Sequence, residues 1–335
     1  MTVNSQSSLT ISTHNRLLMK SYYSILSLCL LGAVVTIATP VLAQDERKLD
    51  PATQAVKIQN SRTGATLKLN TLVKALNSSD VVFLGEQHDN DSCHEFQLHV
   101  IEGLVEAGHS VAISMEQFER DVQGALNDYL SGRLAEEEFL KASRPWENYA
   151  EHYRPVIEFA KEKRIDVLAA NIPRRVATNV SQGQRPSIED QVYLPRQTFI
   201  DKNAYWEQFK ATMEGHVGTE SGSKLEQYFA SQCLKDDAMA ESISDFLAIN
   251  SHQRKIVVHL CGQFHSDYGL GTVARVLRRR PLARVTVITM ESSDNAKDEK
   301  TLSNLTARSH FTFWTIQNQK EDTATQDNGM QANGE

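Results

Sequence analysis

Five short apolar runs constrain this chain more than any other feature. They are Val81-Val82-Phe83-Leu84, Val111 to Met115, Ile165 to Ala170, Lys255 to Leu260 and Arg284 to Met290. Between them lie helical patterns: Ser92 to Ala107, closed by Gly108; amphipathic stretches through Glu119 to Lys163; and Val273 to Leu277. Strands alternating with helices read as a mostly parallel central sheet covered by helices on both faces, an α/β fold. Ala55 to Ile58 and Ala65 to Lys68, with turn residues between them, read as a small hairpin. Phe311 to Trp314 reads as an added edge strand.

The third and fourth runs are about eighty residues apart, more than one crossover helix needs. Ser181 to Pro186 reads as a loop, and Asp201 to Glu214 and Lys224 to Ile249 read as helices. The expected organisation is therefore an α/β domain over 44–180 and 250–317, with an inserted helical subdomain over 181–249. The polar residues 318–335 are expected to form a disordered tail.

The first 43 residues read as a secretory signal peptide. Lys20 precedes an uncharged apolar stretch over 22–43, Val41-Leu42-Ala43 is a small-residue cleavage pattern, and Gln44-Asp45-Glu46 is abruptly polar. Met19 would begin a more ordinary signal. The competing reading is a retained anchor, since the stretch can span a bilayer. Cleavage leaves Cys93, Cys233 and Cys261, whose spacing fits no zinc knuckle or redox pair. The formal charge of −7 argues against nucleic acid as a partner. The one dense basic cluster, Arg275, Arg278, Arg279 and Arg280, reads as a solvated helix end before Pro281.

In an open parallel sheet, ligands sit beyond the carboxyl ends of the strands. Gly85-Glu86-Gln87-His88 follows the first run and Gly262-Gln263-Phe264-His265 follows the fourth. Glu116 follows the second run, Asn171 and Arg174-Arg175 the third, and Glu291 the fifth. The repeated G-x-x-H pattern suggests glycines that let the chain leave the strand sharply and histidines that then face the crevice. His88 and His265 with Glu86 and Glu116 offer the nitrogen and oxygen donors of a divalent metal site. A hydrogen-bonded cluster that ties the loops together is the other reading. His94 and His99 are five apart and diverge on a helix, unlike the zinc-protease pair. No nucleophile elbow, Walker loop or dinucleotide fingerprint is present. Tyr205, Trp206, Phe209 and Met213 line one face of a helix in the insert, either as core or as an apolar wall for a flat ligand.

An ordered series of stretches carries a family resemblance over roughly residues 70–290. It comprises V-F-L-G-E-Q-H-D-N from Val82, H-E-F-Q-L from His94, S-M-E-Q-F from Ser114 and W-E-N-Y-A-E-H-Y-R-P-V-I-E-F-A from Trp146. It continues with A-A-N-I-P-R from Ala169, D-D-A-M-A from Asp236 and G-Q-F-H-S-D-Y-G-L-G from Gly262. The chain resembles the ChaN-like haem-binding uptake proteins of the Tiki superfamily. The resemblance implies a bacterial, exported haem-binding protein of iron acquisition, periplasmic or membrane-associated, working with an outer-membrane haem uptake system. It implies a tyrosine on iron, with Tyr268, Tyr205 and Tyr228 as candidates, and haem held by a homodimer. Arg174 or Arg175 would pair with the propionates, or alternatively with Glu86 or Glu116. The superfamily's motif residues fall on Glu86, His88, Glu116 and His265, which in other branches serve metal binding or acid–base work. The alternative function is therefore a metal-dependent hydrolase of esterase or protease type. The family's lipid-anchoring cysteine is absent, and Cys93 stands where an adjacent histidine is common.

Overall fold

The computed structural model describes residues 57–213, 222–292 and 299–315; the expected leader and tail lie outside them. Eight strands form one sheet: β1 (Lys57–Asn60), β2 (Thr66–Leu67), β3 (Val81–Glu86), β4 (Ser110–Glu119), β5 (Asp166–Asn171), β6 (Lys255–Gly262), β7 (Val285–Ser292) and β8 (Phe311–Thr315). Their order is β2-β1-β8-β7-β3-β6-β4-β5. The six strands from β8 to β5 run parallel, and β1 pairs antiparallel with both β8 and β2. The hairpin is thus present, but β8 is not at the edge. It lies between β7 and β1, with Phe313 opposite Met290 on one side and Ile58 on the other. The hairpin folds back onto the exposed side of β8, which buries Phe311, Phe313 and Trp314.

Alternate residues of the strands feed two cores, as the two-residue side-chain period requires. Val82 and Leu84 of β3 pack with Phe96, Val100, Ile101 and Leu104 of α2 (Asp91–Glu106), after α1 (Leu69–Leu76). The same layer holds α3 (Gln123–Leu130), α4 (Glu136–Ser143) and α5 (Arg154–Lys163). Val81 and Phe83 point the other way, onto Ala240 and Ile243 of α8 (Gly222–Ile249) and Val273 and Val276 of α9 (Gly271–Arg279). The remaining helices are α6 (Arg174–Ser181), α7 (Ala204–Met213) and α10 (Glu299–Arg308). Asn90 caps α2 by accepting from the Cys93 N–H at 3.3 Å, and Gly108 closes it at φ +83°.

The connections place the site. From β3 the chain crosses through α2 to β4, stepping over β6. From β6 it crosses through α9 to β7, stepping back over β3. Adjacent strands whose connections leave on opposite faces open a crevice at their carboxyl ends. One local expectation is corrected. The arginines of α9 are only in part a solvated helix end: Arg278 is exposed, but Arg275 is buried, and Arg275 and Arg279 both pair with Asp237 of α8, at 3.0 and 2.8 Å. The reason is that α9 lies against α8, so its basic face meets the acids of that helix. In the 181–249 stretch, α7 and the first half of α8 share an aromatic cluster of Tyr205, Phe209 and Phe229, whereas the second half of α8 packs on the sheet. Cys93, Cys233 and Cys261 are buried and unpaired.

Candidate functional site

Glu86 ends β3 with its side chain turned toward α2. Its carboxylate accepts from Gln97 Nε2 at 2.5 Å, Tyr153 OH at 2.6 Å, His88 Nδ1 at 2.9 Å and Gln117 Nε2 at 3.0 Å. Burial works against its charge, but those donors and the neighbouring His94 and His88 hold its pKa below the usual carboxylate range. His88 is fixed at both ends. Its carbonyl accepts from His94 Nε2 at 3.0 Å and Asn148 Nδ2 at 2.9 Å, while its ring donates to Glu86 and meets the edge of Trp146 at 5.0 Å. Burial lowers the His88 pKa, yet the Glu86 hydrogen bond and the Glu116 charge leave it raised. With Nδ1 committed to Glu86, Nε2 carries the lone pair of the neutral ring. The side chain is 42% exposed, and Nε2 has no hydrogen-bond partner among the described residues.

Glu116 and His265 form the second pair, on the opposite side of the sheet mouth. Glu116 accepts from the Gly262 N–H at 2.8 Å and from His265 Nε2 at 3.2 Å. The other nitrogen of His265 meets Asp236 of α8 at 2.7 Å. Asp236 also accepts from Tyr205 OH at 2.7 Å and Thr272 Oγ1 at 2.8 Å. Burial opposes charge on His265, but the two carboxylates push its pKa up to about 10. It is an imidazolium with both N–H groups in use, and it holds Glu116 well below the usual carboxylate range.

The two pairs meet at glycines. A Cβ on Gly262 would stand 2.8 Å from His88 Nε2, and one on Gly85 would stand 2.6 Å from Ser266 Oγ. Neither glycine has a positive φ, so the role expected for them is corrected: they permit close approach, not a sharp turn. The four residues named as a metal set, Glu86, His88, Glu116 and His265, are divided here between two hydrogen-bonded pairs. Among the described residues no group of three or more His, Cys, Asp or Glu side chains is arranged to hold a metal ion. Both His265 nitrogens face carboxylates, and the Glu86 oxygens accept from four donors.

The candidate tyrosines differ sharply. Tyr268 sits in the turn Asp267–Gly269 in the left-handed region (φ 61°, ψ 14°), 41% exposed, with no side-chain hydrogen bond among the described residues. A non-glycine residue there is strained, and such strain gathers at functional sites. Arg308 of α10 anchors the turn, binding Asp267 at 2.6 Å and Glu291 of β7 at 2.5 Å. Tyr205 is 3% exposed; burial and Asp236 push its phenol well above the ordinary value. Tyr228 is half-buried on α8, its ring 5.7 Å from the Lys224 ammonium. Arg174 is exposed and lines a cavity of about 550 Å³. Arg175 pairs with Asp121 and Asp190, at 2.6 and 2.7 Å, and not with Glu86 or Glu116.

Sequence reasoning assigned no role to Gln97, Gln117, Asn148, Tyr153 or Asp236. The i, i+3 spacing of His94 and Gln97 in H-E-F-Q signals a shared helix face. The inward turn of Tyr153 comes from a π-helical turn, Tyr149–Tyr153, with no local sequence signature; such turns recur at functional sites.

Known proteins place this geometry in context. A family model described as haem-binding uptake, Tiki superfamily, ChaN, matches residues 72–276, well over half of the chain. Among solved structures, ChaN of Campylobacter jejuni, described as binding heme cofacially, superposes with a TM-score of 0.58 at 15% identity, covering 78% of this chain and 97% of that one. The erythromycin esterase EreC superposes at 0.42 with 12% identity, covering 70% and 76%. The type III effector HopBA1 superposes at 0.43 with 13% identity, covering 75% and 94%. No curated protein matches in sequence. The extent of the family match, over a fold shared with the Campylobacter protein, makes this chain a member of the ChaN haem-binding uptake family of the Tiki superfamily.

Proposed function

We propose that this protein captures haem through Tyr268. The observation that carries the reading is the exposed phenol on a strained, left-handed turn, with no hydrogen-bond partner among the described residues and with the turn held by half-buried Arg308 through Asp267. Tyrosinate is a recognised protein ligand of haem iron. Half-buried Leu270, two residues on, offers apolar surface beside it. Tyr205 is a poor candidate because ligation would strip a buried hydrogen bond from Asp236. The leader read at residues 1–43 supports export, and with it capture outside the cytoplasm, fed by an outer-membrane uptake system. No helix among the described residues is long and apolar enough to cross a membrane. A ligand on the open rim also suits haem held between two copies of the chain. Titration of the protein with haemin tests the reading. The expected result is a Soret band saturating at one haem per chain or per pair of chains. A spectrum no different from free haemin overturns it.

One observation favours a second reading, hydrolysis. His88 is a half-exposed imidazole oriented by a carboxylate, with no hydrogen-bond partner on its second nitrogen among the described residues, the arrangement of a general base for water. Its raised pKa sets the direction: activity should rise with pH above about 6.5. Ester hydrolysis by the wild type that His88→Ala abolishes would support it; equal rates in the two proteins would remove it.

A further inference from the structure

One feature lies apart from the tyrosine turn: the open cavity at the carboxyl ends of β4 and β5. Its walls are Glu119, Arg144, Arg174, Arg175, Thr178 and Asn179. Three guanidiniums therefore meet in a chain of net charge −7. Two of them are held in place. Asp121, nearly buried, binds Arg144 Nη2 through one oxygen at 2.7 Å and Arg175 Nη1 through the other at 2.6 Å. Glu119 binds Arg144 at 2.9 Å, and Asp190 binds Arg175 at 2.8 Å. Arg144 is one of three non-glycine residues with positive φ among the described residues, at 51°. The third guanidinium, Arg174, has no hydrogen-bond or ion-pair partner there. It opens α6 directly after Pro173, so the positive end of that helix dipole also lies at the cavity wall.

We propose that this cavity is an oxyanion site, taking the carboxylate or phosphate of a small anionic ligand. Arg144 and Arg175 are pre-oriented by Asp121, so little side-chain freedom is lost on binding. Arg174 supplies the uncommitted charge, and Thr178 and Asn179 on the same face of α6 supply neutral hydrogen-bonding groups. The site is distinct from the tyrosine turn. That turn is tied to β7 by Arg308, and β7 and β5 are four inter-strand spacings apart, about 19 Å. A free small anion is thus the favoured occupant over a propionate of haem held by Tyr268.

Calorimetric titration of the full chain at low salt with inorganic phosphate, and separately with succinate, tests the site. Saturable binding is expected for at least one probe, weakened about tenfold or more in Arg174→Gln. It should be unchanged in Tyr268→Phe, which would alter only haemin spectra, so failure here and failure of the haem reading are separable. Arg174 is exposed and unpartnered, so its replacement should leave the melting temperature unchanged. Prior loading with haemin identifies the source: undiminished phosphate binding assigns a free anion, and blocked binding assigns a propionate, with the site standing in both cases. No saturable binding of either probe, or equal affinity in Arg174→Gln, overturns the proposal.

Discussion

The two sides of the sheet mouth are built from the same parts and behave differently. Toward α2, His88 has one carboxylate, Glu86, and an open nitrogen. Toward α8, His265 has a carboxylate on each nitrogen, Glu116 and Asp236, and is closed off from solvent. The tyrosines repeat the contrast: Tyr268 stands free at the rim, and Tyr205 is buried on Asp236. One acid from a distant helix makes the difference. It converts a histidine that could bind or accept into a fixed positive charge that holds three elements together.

If the locked side is structural, breaking it should cost most. His265→Ala leaves Glu116 and Asp236 buried without their shared cation, and a loss of about 3–5 kcal/mol in chemical unfolding is expected. A cost below about 1 kcal/mol would mean that the two acids are not charged as described.

Next comes pH. The folded pKa of His265 lies near 10, above its unfolded value of about 6.5. Its contribution is therefore complete below pH 6.5 and drains away as pH rises toward 10. Glu116, shifted down, contributes above about pH 4.5 and loses that contribution as pH falls. Stability from this pair should be greatest between those limits and decline by a few kcal/mol on the alkaline side. Unfolding midpoints at pH 6, 8 and 9.5 should show the decline, and Asp236→Asn should flatten it.

Smaller effects sharpen the open side. Gly262→Ala places a methyl group against His88 Nε2, and the half-exposed ring can swing away, so about 1 kcal/mol is expected. The informative readout is the imidazole NMR titration, where His88 should move back toward 6.5 as its contact with Glu116 weakens. His88→Ala should cost least, under about 1 kcal/mol, because Glu86 keeps Gln97, Gln117 and Tyr153. A cost as large as that of His265→Ala would erase the contrast.

Much of the fold was legible because it rests on local pattern. The apolar runs at Val81, Val111, Ile165, Lys255 and Arg284 became the parallel strands, and the break at Gly108 ended α2. The place of β8 was not legible, since strand order depends on how β1 returns. Glu86, His88, Glu116 and His265 lie close together, and their positions at strand ends were the signal that pointed to them. Their unequal roles were hidden. Asp236 lies 29 residues from His265 on a different helix, and no spacing rule links the two. Burial of Arg275 was hidden for the same reason: its acid partners come from α8.

The most direct test of this division is haemin titration of Tyr268→Phe beside Tyr205→Phe. Tyr268→Phe should lose the tyrosinate-to-iron charge-transfer band and bind haemin more weakly, at an unchanged melting temperature. Tyr205→Phe should keep the wild-type spectrum and melt earlier, because Asp236 loses a buried donor. The reverse pattern, with the band surviving in Tyr268→Phe and vanishing in Tyr205→Phe, would contradict the assignment of the open rim to ligand and the closed side to support.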